Sequence, residues 1–323
     1  MVGTHAVSGS KSILDGPSLS VLDAIGDTPL VEIEDGIFVK LEYLEPSGSI
    51  KARIAKYIIE RAEAEGLLVK GMTIVEASSG NTGNAMSMVA AVKGYKMLVV
   101  MPGGLSSARV AISRSFGAEV MEIGFFHVNQ ALAKARELGE QPGYFAPSQF
   151  DSDWNVEENR TWLGPEILEQ LPSGRVPDAF VMGVGTGGTL VGVGQAFREV
   201  NKDVKLVGVE PNESCTILCG EIGHHQIEGI SDGFVPGIFA RHGHIVDQME
   251  PVGSEESISE MRWLAKEHGM FVGPSSGANL VVARKVRASL PAGATVVTIL
   301  CDEGEKYLNE HYAAKGTEPL KDK

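Results

Sequence analysis

From residue 72 onward, two hydrophobic periods take turns along the chain. Short aliphatic runs, "MTIVEA", "KMLVVM", "AEVMEI", "DAFVMGV", "VKLVGVEP" and "ATVVTIL", read as buried strands. Between them lie segments of helical length: "TGNAMSMVAAVKG", "SSARVAISRSFG", a stretch from about Thr189, "ESISEMRWLAKEHG" and "GANLVVARKVRASL". An earlier helix is predicted at Lys51, with Ile54, Tyr57, Ile58 and Ala62 forming its apolar pattern. Strand–helix–strand alternation implies parallel sheets with crossover helices. The rhythm pauses at the polar stretch "GYFAPSQFDSDWN" and then resumes. The expected fold is therefore α/β and two-lobed, each lobe a twisted, mostly parallel sheet with helices on both faces. The smaller lobe is assigned residues 45–155, and the larger residues 1–44 and 156–323.

Ligands of open α/β sheets sit beyond the carboxyl ends of strands, so the loops after strands carry the search. The loop "GVGTGGT" follows a predicted strand and enters a helix. Gly185, Gly187 and Gly188 permit close backbone approach, Thr186 and Thr189 add hydroxyls, and the helix start supplies free N–H groups. This is an anion cradle suited to phosphate, and without the lysine of a Walker motif it does not suit a nucleoside triphosphate. Gly183, Gly185 and Gly188 also satisfy G-x-G-x-x-G, with Glu210 placed as the ribose acid, so NAD and other phosphate ligands stay open at this loop.

A second loop, "EASSGNTG", gathers Ser78, Ser79, Asn81 and Thr82 around Gly80 and Gly83. An ordinary helix cap explains one such side chain, not four, and the group is sized for a carboxylate. Two further loops are silent in isolation: Ser275 in "GPSSGA" reads as a cap, and Asp232 in "GISDGF" as a solvated acid. Lys51 is the odd residue. A cation is disfavoured at a helix N-terminus, but a partly desolvated amine there is an activated nucleophile. The phosphate-bearing aldehyde that accepts a lysine amine is pyridoxal 5′-phosphate. Read by itself, however, Lys51 is equally a surface lysine of an amphipathic helix.

Composition narrows the class. The chain has 323 residues, 43% hydrophobic and 6% aromatic, with a net charge of −14. That charge argues against nucleic acid and anionic membranes. The first twenty residues show neither a basic start nor an apolar run and read as a flexible arm without a secretory signal. Three cysteines cannot form a disulfide framework, and Cys215 and Cys219 lack further ligands for a metal. The expectation is a reducing, cytoplasmic setting and no metal.

Taken in order, "PSGSIKAR", "ASSGNTG", Gln149–Phe150, "GTGGT", "GFVP", "GPSSGA" and "DEGEKYL" resemble the cysteine synthase and cystathionine β-synthase family, from "IGDTPLVEI" to about Leu308. The resemblance implies a pyridoxal-phosphate enzyme of fold type II, the tryptophan-synthase β-like fold, working as a homodimer. It implies that Lys51 binds the cofactor aldehyde as a Schiff base and is catalytic. It places Asn81 at the cofactor's ring hydroxyl, Gly185, Thr186, Gly187, Gly188 and Thr189 at its phosphate, and Ser275 at its pyridine nitrogen. Ser78, Ser79, Gly80, Thr82 and Gln149 fall at the substrate carboxylate, while Glu210 becomes a structural acid.

The implied reaction is β-replacement. O-acetylserine, O-phosphoserine or serine would exchange its β-substituent for sulfide, a thiol or an amine, giving cysteine or a related amino acid. A synthase of a non-protein amino acid shares every motif. A serine or threonine dehydratase usually has His where this chain has Thr82. An NAD-dependent oxidoreductase and a catalytically silent binding protein are the alternatives of other classes. Several positions depart from the family pattern: Ala52 replaces an acid before Arg53, "ENRTWLGPE" lacks a His and a Thr pair, "GGLSSAR" is glycine-rich, and "GISDGF" introduces Ser231 and Asp232. Asp232 is expected to meet the substrate's β-hydroxyl or an amine on the nucleophile.

Overall fold

The computed structural model describes residues 20–104, 107–125 and 128–313. The expected N-terminal arm and part of the "GGLSSAR" loop lie outside them. The chain enters through a hairpin absent from the hydrophobic pattern, β1 (Leu30–Glu34) paired antiparallel with β2 (Ile37–Leu41). Gly36 turns it with φ of 76°, and a Cβ there would lie 2.3 Å from Ala294 O.

Next come α1 (Lys51–Ala64), β3 (Thr73–Ala77), α2 (Asn81–Lys93), β4 (Lys96–Gly103), α3 (Ser107–Ser115), β5 (Glu119–Phe125), α4 (Asn129–Gly139) and β6 (Tyr144–Phe145). The strands of this run form a four-stranded, wholly parallel sheet in the order β5-β4-β3-β6. After α5 (Asp153–Glu158) and α6 (Gly164–Gln170) follow β7 (Ala179–Gly183), α7 (Gly188–Val200), β8 (Lys205–Pro211), α8 (Gly237–His242), β9 (Gln248–Val252), α9 (Ser254–His268), α10 (Pro274–Ser289) and β10 (Val296–Leu300). These strands join the entry hairpin in a six-stranded sheet, β1-β2-β10-β7-β8-β9, parallel everywhere except in the hairpin.

The long aliphatic runs are explained by burial on both faces. Along β2 and β7, Phe38 and Phe180 pack on one side with Leu190 and Phe197, while Val39 and Val181 pack on the other with Leu264 and Leu280. The smaller sheet likewise separates two cores, one holding Ile54, Ile58, Met86 and Val99, the other Val75, Val100, Leu132 and Phe150. The fold is thus α/β with helices on both faces of two sheets, as the sequence implied.

One charged cluster anchors α1 beneath these cores. The fully buried Arg53 donates to Glu42 and Glu166 at 2.7 and 2.8 Å, and Lys40, inside the apolar β2, reaches Glu166 at 2.5 Å. Burial alone would raise Glu166, but Arg53 and Lys40 outweigh it and hold its carboxyl at about 2. Arg53 thus finds its carboxylates at β2's end and on α6 rather than from its neighbour Ala52. Nearby, burial pushes Glu158 up to about 8, and both its oxygens lack partners.

The cysteines correct the sequence reading. Cys215 and Cys219 form a disulfide with Cα atoms 5.2 Å apart, because the turn after β8 folds back on itself, and Cys301 is buried and free.

Candidate active site

The carboxyl ends of β3 and β7 open on one cleft, and the starts of α1, α2, α7 and α10 all point into it. Lys51 is the first residue of α1, where no side chain caps the helix. Its backbone N–H has only Ser49 Oγ at 3.4 Å, and its ammonium makes no hydrogen bond or ion pair among the described residues. The sequence put an amine at a helix start, and the fold leaves that amine free in a cleft.

At the start of α7 the backbone itself forms the cradle. Gly187 holds the left-handed conformation, φ 84°, and turns Gly188 into the helix. A Cβ on Gly188 would lie 2.1 Å from Asn155 Oδ1, and one on Gly185 would lie 2.5 Å from Gly229 O. Thr186 Oγ1 accepts from Gly188 N at 3.2 Å and from Asn155 Nδ2 at 3.0 Å, which fixes the loop from α5. Thr189 lines the same cavity. Glu210 is not free for a ribose: it is buried and accepts from Ile217 N and Leu218 N, both at 2.9 Å.

The second cradle, at the start of α2, is held by side chains. Ser78 Oγ accepts from Gly80 N at 3.1 Å and from Gly83 N at 2.9 Å, so this hydroxyl shapes the turn. Thr82 Oγ1 donates to Gln149 Oε1 at 2.6 Å, and Gln149 Nε2 donates to Ala77 O at 2.8 Å. Below them Glu76 accepts from Ala77 N and Gln149 N. Burial outweighs these donors and pushes the Glu76 carboxyl up to about 8. Ser79 and Asn81 remain half-buried at the cleft.

Asn81 Nδ2 donates to Asp302 Oδ2 at 2.7 Å, and Tyr307 OH donates to the same oxygen at 2.6 Å, which orients the Asn81 amide. In the sequence, Asp302 and Tyr307 stand out only as part of "DEGEKYL". Sequence reasoning misses Arg109 altogether. It is buried, donates to Ser79 O at 3.3 Å and lies 4.0 Å from Glu228 and 5.7 Å from the Tyr307 ring centroid. Its local signal, one arginine on a glycine-rich loop, resembles any surface cation.

Ser275, at the start of α10, is buried in the opposite wall beside Cys301, whose thiol burial pushes up to about 12. Asp232 completes the rim. Its carboxylate has no hydrogen-bond partner among the described residues, and burial raises it, against the nearby charges of His225, Lys51 and Arg109. The structure therefore gathers all the predicted site residues on one cleft or its immediate bracing.

A free amine, a glycine-rich helix start and a polar helix start share one cleft, an arrangement with the chemistry to take a phosphorylated carbonyl beside a carboxylate. Comparison with known proteins agrees with that chemistry. Residues 21–302 match the family described as "Pyridoxal-phosphate dependent enzyme". A cysteine synthase of Staphylococcus aureus is 40% identical over 301 residues, covering 91% of this chain and 96% of that protein. The O-ureido-L-serine synthase of Streptomyces lavendulae is 37% identical over 297 residues, covering 90% and 91%. The crystal structure of an O-acetylserine-dependent cystathionine β-synthase from Helicobacter pylori superposes with a TM-score of 0.87 at 35% identity, over 92% of this chain and all of that one. With site chemistry, sequence and fold in agreement, the chain belongs to the pyridoxal-phosphate-dependent enzyme family.

Proposed function

We propose that this enzyme replaces the β-substituent of an L-alanine derivative, O-acetylserine, O-phosphoserine or serine, with sulfide, a thiol or an amine. The products are cysteine or a related amino acid. The observation that carries this reading is the unpartnered Lys51 amine in the same cleft as two anion cradles of different build.

The residues fit the cofactor. Gly185 and Gly188, where a Cβ would strike neighbouring atoms, and Gly187, whose φ of 84° favours glycine, shape the start of α7 as a backbone cradle for a phosphate. Thr186 and Thr189 flank it, Asn81 is oriented for a ring hydroxyl, and Ser275 offers a neutral hydroxyl for a ring nitrogen. When bound, pyridoxal phosphate supplies an electron sink that loosens bonds at the substrate's α-carbon.

Lys51 Nζ would hold the cofactor aldehyde, and its amine would take the substrate's α-proton and later return it. Its placement in the cleft, with no acceptor bonded to it among the described residues, keeps that nitrogen available. Ser79, Gly80 and Thr82 bind the substrate carboxylate, while Ser78, Gln149 and Glu76 hold their loop in shape. Thr82, where dehydratases carry His, favours replacement over deamination. Asp232 accepts a hydrogen bond from the donor's β-hydroxyl or from an amine on the nucleophile. We assign residues 45–155 as the lobe that closes on substrate, and a cytoplasmic homodimer as the working form. Among the described residues no helix is long and apolar enough to cross a membrane.

An absorbance titration with serine, O-acetylserine and O-phosphoserine tests the donor. The true donor shifts the cofactor band, and the nucleophile restores it. In Asp232→Ala the preference among donors and nucleophiles should change. An identical profile removes Asp232 from substrate selection.

A further inference from the structure

The segment between β8 and α8 folds back so that its two ends touch. Its later part lines the cleft through Glu228, Gly229 and Asp232. Its earlier part is closed by the Cys215–Cys219 disulfide, with Cys215 buried and Cys219 exposed. Ser231 joins the two. Its hydroxyl donates to Ser214 O at 2.9 Å and lies 3.4 Å from Thr216 Oγ1, the residue after Cys215. Its N–H donates to Val184 O at 3.0 Å, just before the phosphate loop. Ser231 also holds φ of 53°, a conformation a non-glycine residue keeps only when its surroundings impose it. The disulfide turn is part of those surroundings, and Asp232 is the next residue.

We propose that Cys215 and Cys219 are a thiol–disulfide exchange site for low-molecular-weight disulfides and thiols, whose oxidation state sets the position of Asp232 at the cleft. The coupling to catalysis rests on the β-replacement reading; the exchange itself does not. The two cysteines divide the work by exposure. In the reduced protein the Cys219 thiolate attacks one sulfur of a disulfide RSSR, expelling RS⁻, which takes up a proton. The mixed disulfide left on Cys219 is then attacked by Cys215, whose proton goes to solvent, and the second RS⁻ leaves and is protonated. Two protein thiols are oxidised while one RSSR becomes two RSH, and excess RSH reverses both steps.

The reduced form has a partner in place. Cys215 Sγ lies 3.5 Å from Oε1 of the buried Glu210, to which a thiol can donate. That carboxylate already accepts from Ile217 N and Leu218 N, so breaking the S–S bond changes the contacts of the turn that Ser231 leans on. Cys301 takes no part, since burial keeps it a protonated thiol with its pKa at about 12.

The test uses the full-length holoenzyme equilibrated in cysteine/cystine buffers from reducing to oxidising. Native alkylation with N-ethylmaleimide and intact mass should give one adduct, on the exposed Cys219, at the reducing end and none at the oxidising end. Hydrogen exchange should show the Ser231 amide less protected in the reduced form. The nucleophile KM or the midpoint of the donor's spectral shift should differ about fivefold or more between the forms. Cys219→Ser should hold the reduced-form KM in every buffer; if it fails to fold, the two wild-type forms decide. An adduct count constant across the buffers overturns the exchange site. Equal hydrogen exchange, equal KM and an equal donor midpoint in the two forms overturn the coupling. Should the chain lack β-replacement activity, alkylation and hydrogen exchange still decide the exchange site, so the two readings fail separately.

Discussion

The cradle at the start of α7 and the cradle at the start of α2 face one cleft but are made of different materials. At α7 the backbone does the work, and neighbouring atoms stand where side chains would be, as with Asn155 Oδ1 at 2.1 Å from a Cβ on Gly188. At α2 the shape depends on side chains: Ser78 on two backbone N–H groups, Thr82 on Gln149, and Glu76 beneath both. A loop fixed by exclusion suits a group that stays, such as a resident phosphate. A loop held by exchangeable hydrogen bonds suits a ligand that arrives, reacts and leaves.

The largest effect is expected from a methyl group at Gly188. Asn155 cannot yield freely, because its Nδ2 already donates to Gln149 O and Thr186 Oγ1 at 3.0 Å. Gly188→Ala should lose the cofactor on gel filtration and cost about 1–3 kcal/mol in urea unfolding. Unchanged cofactor content would mean that the α7 loop is not shaped by exclusion.

Next is Ser78→Ala, which strips a buried acceptor from two N–H groups. It should cost about 1–3 kcal/mol and raise the donor KM more than it lowers kcat, with cofactor content unchanged. Thr82→Val removes one donor to Gln149, with an expected cost of about 1 kcal/mol and a smaller rise in KM. Parallel loss of cofactor in either variant would erase the distinction between the cradles.

The smallest effect is read in pH. Folding raises the Glu76 carboxyl to about 8, so the folded chain binds this proton more tightly than the unfolded chain. Its favourable contribution is full below the unfolded carboxyl range and is lost as pH rises towards 8. Glu76→Gln should flatten the stability profile over that window by up to one proton's slope, about 1.4 kcal/mol per pH unit. An unaltered profile would mean that Glu76 is ionised throughout.

Legibility in the sequence follows the same division. The α7 glycines stand out because a tight turn into a helix needs glycine at adjacent positions, and Lys51 because a cation is disfavoured at a helix start. The aliphatic runs of β7 and β10 stand out because burial on both faces leaves one composition. The entry hairpin does not: β1 is half-buried and carries Glu32 and Glu34, so it lacks a strand's apolar signature. Arg109 reaches the site from a distant segment, where it reads as an ordinary surface residue. The Cys215–Cys219 bond is hidden because three cysteines cannot make a disulfide framework and read as reduced thiols. Only the folded turn shows their Cα atoms within disulfide reach.

The most direct measurement is to reduce the holoenzyme with borohydride, digest it and locate the cofactor adduct by mass spectrometry. With Lys51 as the residue that holds the cofactor, one adduct is expected, on Lys51, and none in Lys51→Ala. An adduct on another lysine, or a colourless protein that takes up no cofactor and gives no adduct, would contradict that role.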